Sequence, residues 1–146
     1  MSFVELSIPD PGLAARVSFD STIDLWGFAV RQANEACLVL DTDFIVVSAS
    51  PGCAGLLSVA PTEAVGCRLV DVIRLLDFNT TSGRLPESEV DKIPSLAAIS
   101  TGMLARGLLR VAGPDAVPTT VDAISVPLQD ADGVAGSLTF FALVGR

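Results

Sequence analysis

The stretch Ala36-Cys-Leu-Val-Leu-Asp41-Thr-Asp43-Phe-Ile-Val46-Val-Ser48-Ala-Ser50-Pro51 decides the fold. Ala36 to Leu40 is a short apolar run, Asp41-Thr42-Asp43 is turn chemistry, and Phe44 to Ala49 is β-branched and strand-like, so the segment predicts a hairpin. Aspartate is favoured in such turns because its carboxylate accepts hydrogen bonds from nearby backbone amides. Asp41 and Asp43 are therefore read as turn residues rather than metal ligands or an acid pair.

Working outward, residues 51–57, 61–65 and 69–76 predict three short helices, the second opened by Pro61 and closed by Gly66. Residues 77–92 are rich in Asn, Thr, Ser, Gly, Pro and acids, and predict a loop within one domain. Pro94 opens a further helix with Leu96, Ile99 and Met103 on one face and Gly107 as its stop. Three strands follow over 108–111, 119–128 and 136–144, the last two joined by a reversal at Asp130-Ala-Asp-Gly133.

Upstream, Ser21 stands three residues before Asp24, ahead of Ile23, Trp26, Val30 and Ala33 at helical spacing, which predicts a capped amphipathic helix over 22–34. Val4, Leu6 and Ile8 share one side of an extended segment that Pro9-Asp-Pro-Gly12 ends. The expected organisation is an arm over 1–20 and a single α+β domain over 21–146, whose helix leads into a core at 36–144. Helices gathered between antiparallel hairpins cover one sheet face and leave the other in need of a second cover.

Composition narrows the function. The chain has 146 residues, half of them apolar, enough for one domain with one sizeable core. Its net charge is −8, with Lys92 the single lysine and eight scattered arginines, so no surface is prepared for a phosphate backbone and no nucleic-acid partner is expected. No apolar run approaches the ~18 residues of a membrane span, so a soluble cytoplasmic chain without a membrane partner is expected. Histidine and tyrosine are absent, which removes the usual general base, the commonest metal ligand and the usual haem ligand. No catalytic residue and no metal ligand are assigned, and the chain is not expected to be an enzyme. Cys37, Cys53 and Cys67 suit neither a disulfide framework nor a zinc site, and are read as reduced, buried thiols.

With these elements in order, the sequence resembles the PAS domain family, in the form of a stand-alone bacterial sensor or interaction domain. Asp41 and Val46 match that family's first-hairpin pattern, Ala64-Val-Gly66-Cys-Arg-Leu69 its turn before the next helix, and Val126-Pro-Leu-Gln-Asp130-Ala-Asp-Gly133-Val-Ala-Gly136-Ser-Leu-Thr-Phe its closing hairpin. The family often has glycine at the position of Phe44 and asparagine at that of Ser50, where serine can still cap the following helix. The resemblance implies a five-stranded antiparallel sheet with short helices on one face, an extra N-terminal helix, and a cavity between sheet and helices.

That cavity holds different ligands in different members, and the residues here restrict the choice. Cys67 follows a glycine rather than the asparagine of photoactive flavin-binding members, and haem would find only a cysteine or Met103 as ligand, so neither cofactor is expected. Val39, Val46, Leu57, Leu69, Val72, Ile73, Leu96, Ile99, Met103 and Leu138 either line a pocket for an apolar small molecule or fill the core at native density. Arg68 and Arg74 are candidate carboxylate holders, with solvated surface positions as the commoner outcome. Ile23, Trp26, Val30 and Ala33 form the candidate interface for a homodimer or a signalling protein, or pack on the chain's own sheet. The function implied is a sensory and protein-interaction domain in signal transduction. A structural dimerisation module and a small cone-shaped isomerase or cyclase using carboxylates are the alternatives.

Overall fold

The Asp41 carboxylate organises the first turn, accepting from the amides of Asp43 at 2.8 Å and Ile45 at 3.1 Å. Phe44 occupies the left-handed region at φ 64°. A glycine would adopt that conformation without strain, and here the packing of the Phe44 ring against the core offsets the cost.

The computed structural model describes residues 5–8, 15–18, 21–76, 87–113, 115 and 117–145. In chain order the elements are β1 (Glu5–Ile8), β2 (Ala15–Ser18), α1 (Thr22–Arg31), β3 (Ala36–Asp41), β4 (Val46–Ala49), α2 (Gly52–Leu57), α3 (Pro61–Ala64), α4 (Leu69–Val72), β5 (Leu75–Leu76), α5 (Glu87–Val90), α6 (Pro94–Thr101), β6 (Ala105–Ala112), β7 (Pro118–Asp130) and β8 (Gly133–Gly145). β1 and β2 pair with each other, and the other six strands form one antiparallel sheet in the order β4-β3-β8-β7-β6-β5.

The expected α+β architecture is present, with local corrections. The third helix ends at Val72 instead of 76, because Ile73 turns extended and Leu75–Leu76 join the edge of β6 as a sixth strand. The helix opened by Pro94 stops at Gly102, which takes φ 69°, rather than at Gly107. Gly107 instead lies within β6, where a Cβ would stand 3.4 Å from Pro94 Cγ. The expected turn at 9–12 and most of the 77–92 loop fall outside the described residues, apart from α5 and the turn after it. Ser50 does not cap α2, which has no side-chain cap. Its hydroxyl accepts from the Cys37 amide at 2.9 Å and donates to the Glu35 carbonyl, tying the end of β4 to the start of β3.

Strand alternation divides the core. On the inner face, Leu38, Leu40, Val46, Val121, Ala123 and Phe141 pack with α2, α4 and α6. On the outer face, Cys37, Val39, Leu128 and Leu138 pack beneath α1 through Val30, Ile23 and Ala33. Three further bonds hold α1 there: Ser48 Oγ donates to the Gly27 carbonyl at 2.8 Å, Thr22 Oγ1 to the Gln129 carbonyl at 2.8 Å, and the Thr22 amide to Asp130 Oδ1 at 3.0 Å. Ser21 caps the helix as its sequence position predicts, accepting from the Asp24 amide at 3.1 Å.

Two features of this core are testable. A Cβ on Gly136 would run into the Leu40 carbonyl oxygen and the Ile23 side chain, so Gly136→Ala forces β3 and β8 apart. Denaturant unfolding is expected to show a loss of about 3 kcal/mol, and a loss below about 0.5 kcal/mol would refute the close approach. The Thr139 hydroxyl is the shared partner of Ser95 at 2.8 Å and Ser125 at 2.5 Å, all three fully buried. Thr139→Val is expected to cost about 2 kcal/mol by leaving hydroxyls unpaired, and adding Ser95→Ala and Ser125→Ala to recover much of it. Additive losses in the triple variant would contradict the network.

Candidate functional site

Each face of the sheet offers a candidate site. On the inner side the structure brings together Val46, Leu57, Leu69, Ile73 and Leu96, all buried, with Val72 and Ile99 half-buried beside them. It does not bring in Val39 and Leu138, which point to the outer face beneath α1, because side chains alternate along a strand. Met103 lies beyond the end of α6 and is 67% exposed.

The first turn of α6 lies directly on the sheet. Besides the Ser95, Ser125 and Thr139 cluster, Ser137 Oγ donates to the Ser95 carbonyl at 2.9 Å, and Pro94 lies over Gly107. Hydroxyl-to-hydroxyl contact across this layer leaves no space for a ligand there. Small residues on both sides allow this approach: Ser95 and Ala98 on the helix, with Gly107, Ala123, Ser125 and Ser137 on the strands. Every buried side-chain nitrogen or oxygen among the described residues has a partner, so none is left for a ligand to satisfy.

Among the described residues, α1 is the element that packs on the outer face, and it covers about half of it. Gly27 faces β4, since a Cβ there would lie 3.7 Å from Val47 and Ser48. At 100° per residue, Trp26 falls on the other flank of α1, toward the uncovered strands, and is 38% exposed. Ile23, Val30 and Ala33, candidates for the same interface, pack instead on the chain's own sheet. Beyond α1, the outward positions of β6, β7 and β8 carry Leu108, Ile124, Phe140 and Ala142, with Phe140 42% and Leu108 54% exposed.

Sequence reasoning expected a sheet face in need of a second cover but did not name the residues that form it, although β8 signals them. Leu138, Phe140, Ala142 and Val144 alternate with Phe141 and Leu143, so both faces of the strand are apolar and both call for cover. The face also holds an ion pair. Arg106 Nε and Nη2 donate to the two Asp122 oxygens at 3.2 and 2.6 Å, a fork that holds the Asp122 carboxyl below the usual carboxylate range. Hydrogen bonding from Thr22 does the same for Asp130.

Burial pushes the Cys37 and Cys53 thiols up, despite hydrogen bonding from Ser50, which leaves both thiols protonated and unreactive. They belong to opposite faces of the sheet, Cys37 beneath α1 and Cys53 in the inner core. Cys67, expected to be buried, is exposed, and it follows Gly66, which takes φ 90° after α3. Arg68 is exposed and meets Asp71 at 4.0 Å, and Arg74 is also exposed.

No protein-family model matches the chain, and no curated protein matches it in sequence. Solved structures do. A PAS domain from Colwellia psychrerythraea superposes with a TM-score of 0.61 at 15% identity, covering 83% of this chain and 95% of that one. The LOV domain of the blue-light photoreceptor Aureochrome1 gives 0.59 at 20% identity, with 81% and 88% covered. The Vibrio cholerae VqmA dimer gives 0.59 at 15% identity, where the match covers 84% of this chain and 53% of VqmA. The antiparallel sheet, the short helices between its second and third long strands and these similarities together identify a PAS-type fold.

Proposed function

We propose that the chain is a PAS-type sensory module that works by protein contact, with a second copy of itself as first partner, and that it does so without catalysis, haem or flavin. The observation that carries this reading is the half of the outer sheet face that no described element covers, flanked by exposed Trp26 and presenting exposed Phe140 and Leu108 with half-buried Ile124. Large aromatic side chains at the centre of an apolar patch gain most from burial at an interface. Charge supports a second copy as the occupant. The chain carries −8 overall, yet Arg106 and Asp122 cancel within the patch, so two such faces meet without strong like-charge repulsion.

The inner face supports a non-catalytic role. Its buried polar side chains among the described residues are serine and threonine hydroxyls, which provide no general acid or base near neutral pH. The small-residue contact between α6 and the sheet also favours a contact module over a sensor with a ligand beneath α6.

Sedimentation equilibrium tests the reading. The wild-type chain is expected to dimerise, and Phe140→Arg and Trp26→Arg each to weaken the dimer at least about tenfold with unfolding midpoints little changed. A wild-type chain that stays monomeric, or a dimer indifferent to both substitutions, would remove the outer face as the contact surface.

A further inference from the structure

The most distinctive unassigned feature is a half-open cleft of about 140 Å³ at the β5–β6 edge of the sheet. Its apolar wall is formed by Leu75, Leu76, Ile93 and Leu109, and its rim by Arg110 and the Lys92–Glu89 pair. Ile93 and Leu109 are buried core residues, so the wall is rigid, while Leu75 and Leu76 are held in place by pairing with Val111 and Arg110. Lys92 Nζ lies 3.0 Å from Glu89 Oε2, which leaves those two groups neutral as a pair. Arg110 is half-buried and has no ion-pair partner among the described residues. Among the described residues, the rim therefore carries one positive charge without an ion-pair partner, in a protein of net charge −8.

We propose that this cleft binds a small apolar monocarboxylate, with its hydrocarbon part against the leucines and its carboxylate on the Arg110 guanidinium. Charge complementarity selects the head group. A guanidinium presents a planar pair of donors that fits a carboxylate, and a single such group with an apolar wall is a poor match for a doubly charged phosphate. Size selects the tail: the cleft is well below the roughly 300 Å³ at which drug-sized ligand pockets begin, so the occupant has the dimensions of hexanoate rather than of a long-chain lipid. The site differs from the sheet–helix layer beneath α6, which the serine and threonine contacts close.

Leu108 lines this cleft and also belongs to the outer apolar face, so a bound acid would lie beside the surface proposed for self-contact. To that extent the inference rests on the proposed function, although binding itself does not require dimerisation.

Titration of the full chain with hexanoate and with hexanol, followed by ¹⁵N–¹H NMR at a dilution where subunit number is held constant, tests the proposal. Hexanoate is expected to shift the amides of Leu76, Ile93, Leu109 and Arg110 in a saturable way, and hexanol to bind at least about tenfold more weakly. Arg110→Gln is expected to remove that preference, and Leu76→Glu, which places a like charge at the cleft, to abolish hexanoate binding. Equal affinities for the acid and the alcohol, shifts confined to other regions, or an acid preference that survives Arg110→Gln would overturn it. Because dimerisation is read separately by sedimentation, a failure here is distinguishable from failure of the contact reading.

Discussion

The ladder between β3 and β8 is the constraint on which the rest of the structure depends. It pairs Ala36 with Phe141 through to Asp41 with Gly136, joining segments about a hundred residues apart in the chain. At its narrow end Gly136 passes so close to the Leu40 carbonyl that no side chain fits. Once β8 lies against β3, the first hairpin and the last three long strands become one sheet, and the helices between them have a single surface to cover. Closing so long a loop carries an entropic cost that the apolar contacts on both faces of this ladder must exceed.

Those two faces are built differently. The inner face combines bulky aliphatic packing around α2 and α4 with a layer of small residues and hydroxyls under α6. The hydroxyls satisfy one another, so the polar layer is compatible with complete burial. Among the described residues, the outer face has one helix of ten residues over a sheet of six strands, and α1 shields β4, β3 and the Leu128 and Leu138 end of β7 and β8. The apolar residues left on β6, β7 and β8 are thus a geometric consequence of a short helix on a wide sheet.

The distribution of charge gives that remainder its meaning. Acidic residues outnumber basic ones by eight, yet the uncovered face and the neighbouring cleft hold three of the nine basic residues, Arg106, Arg110 and Lys92. Among the described residues, two of these are paired with carboxylates and one is not. The charges on the apolar face thus balance, whereas Arg110 beside the aliphatic wall has no carboxylate partner among the described residues.

Local order was legible from the chain itself. Asp41 and Asp43 in a turn, Ser21 as a cap, Gly66 after α3, Pro94 at the start of α6 and the reversal at Gly133 each rest on short-range backbone chemistry, and each is found where the residues place it. The order of the long strands and of most helices followed from those local signals, and the PAS-type fold was expected from the resemblance that the two hairpin stretches carry. What the chain alone did not disclose depends on contacts distant in sequence. Whether the stripe of α1 met a partner or its own sheet, and why Val39 and Leu138 lie on the far face from Leu96, were decided by how the sheet closes. The half of that sheet that no described element covers, and the cleft where Leu76 meets Arg110, exist only once β6 is seated at its edge. Sequence determined the elements because turns and caps are settled within a few residues. Tertiary structure decided the sites, because a surface is defined by which elements cover it and which do not.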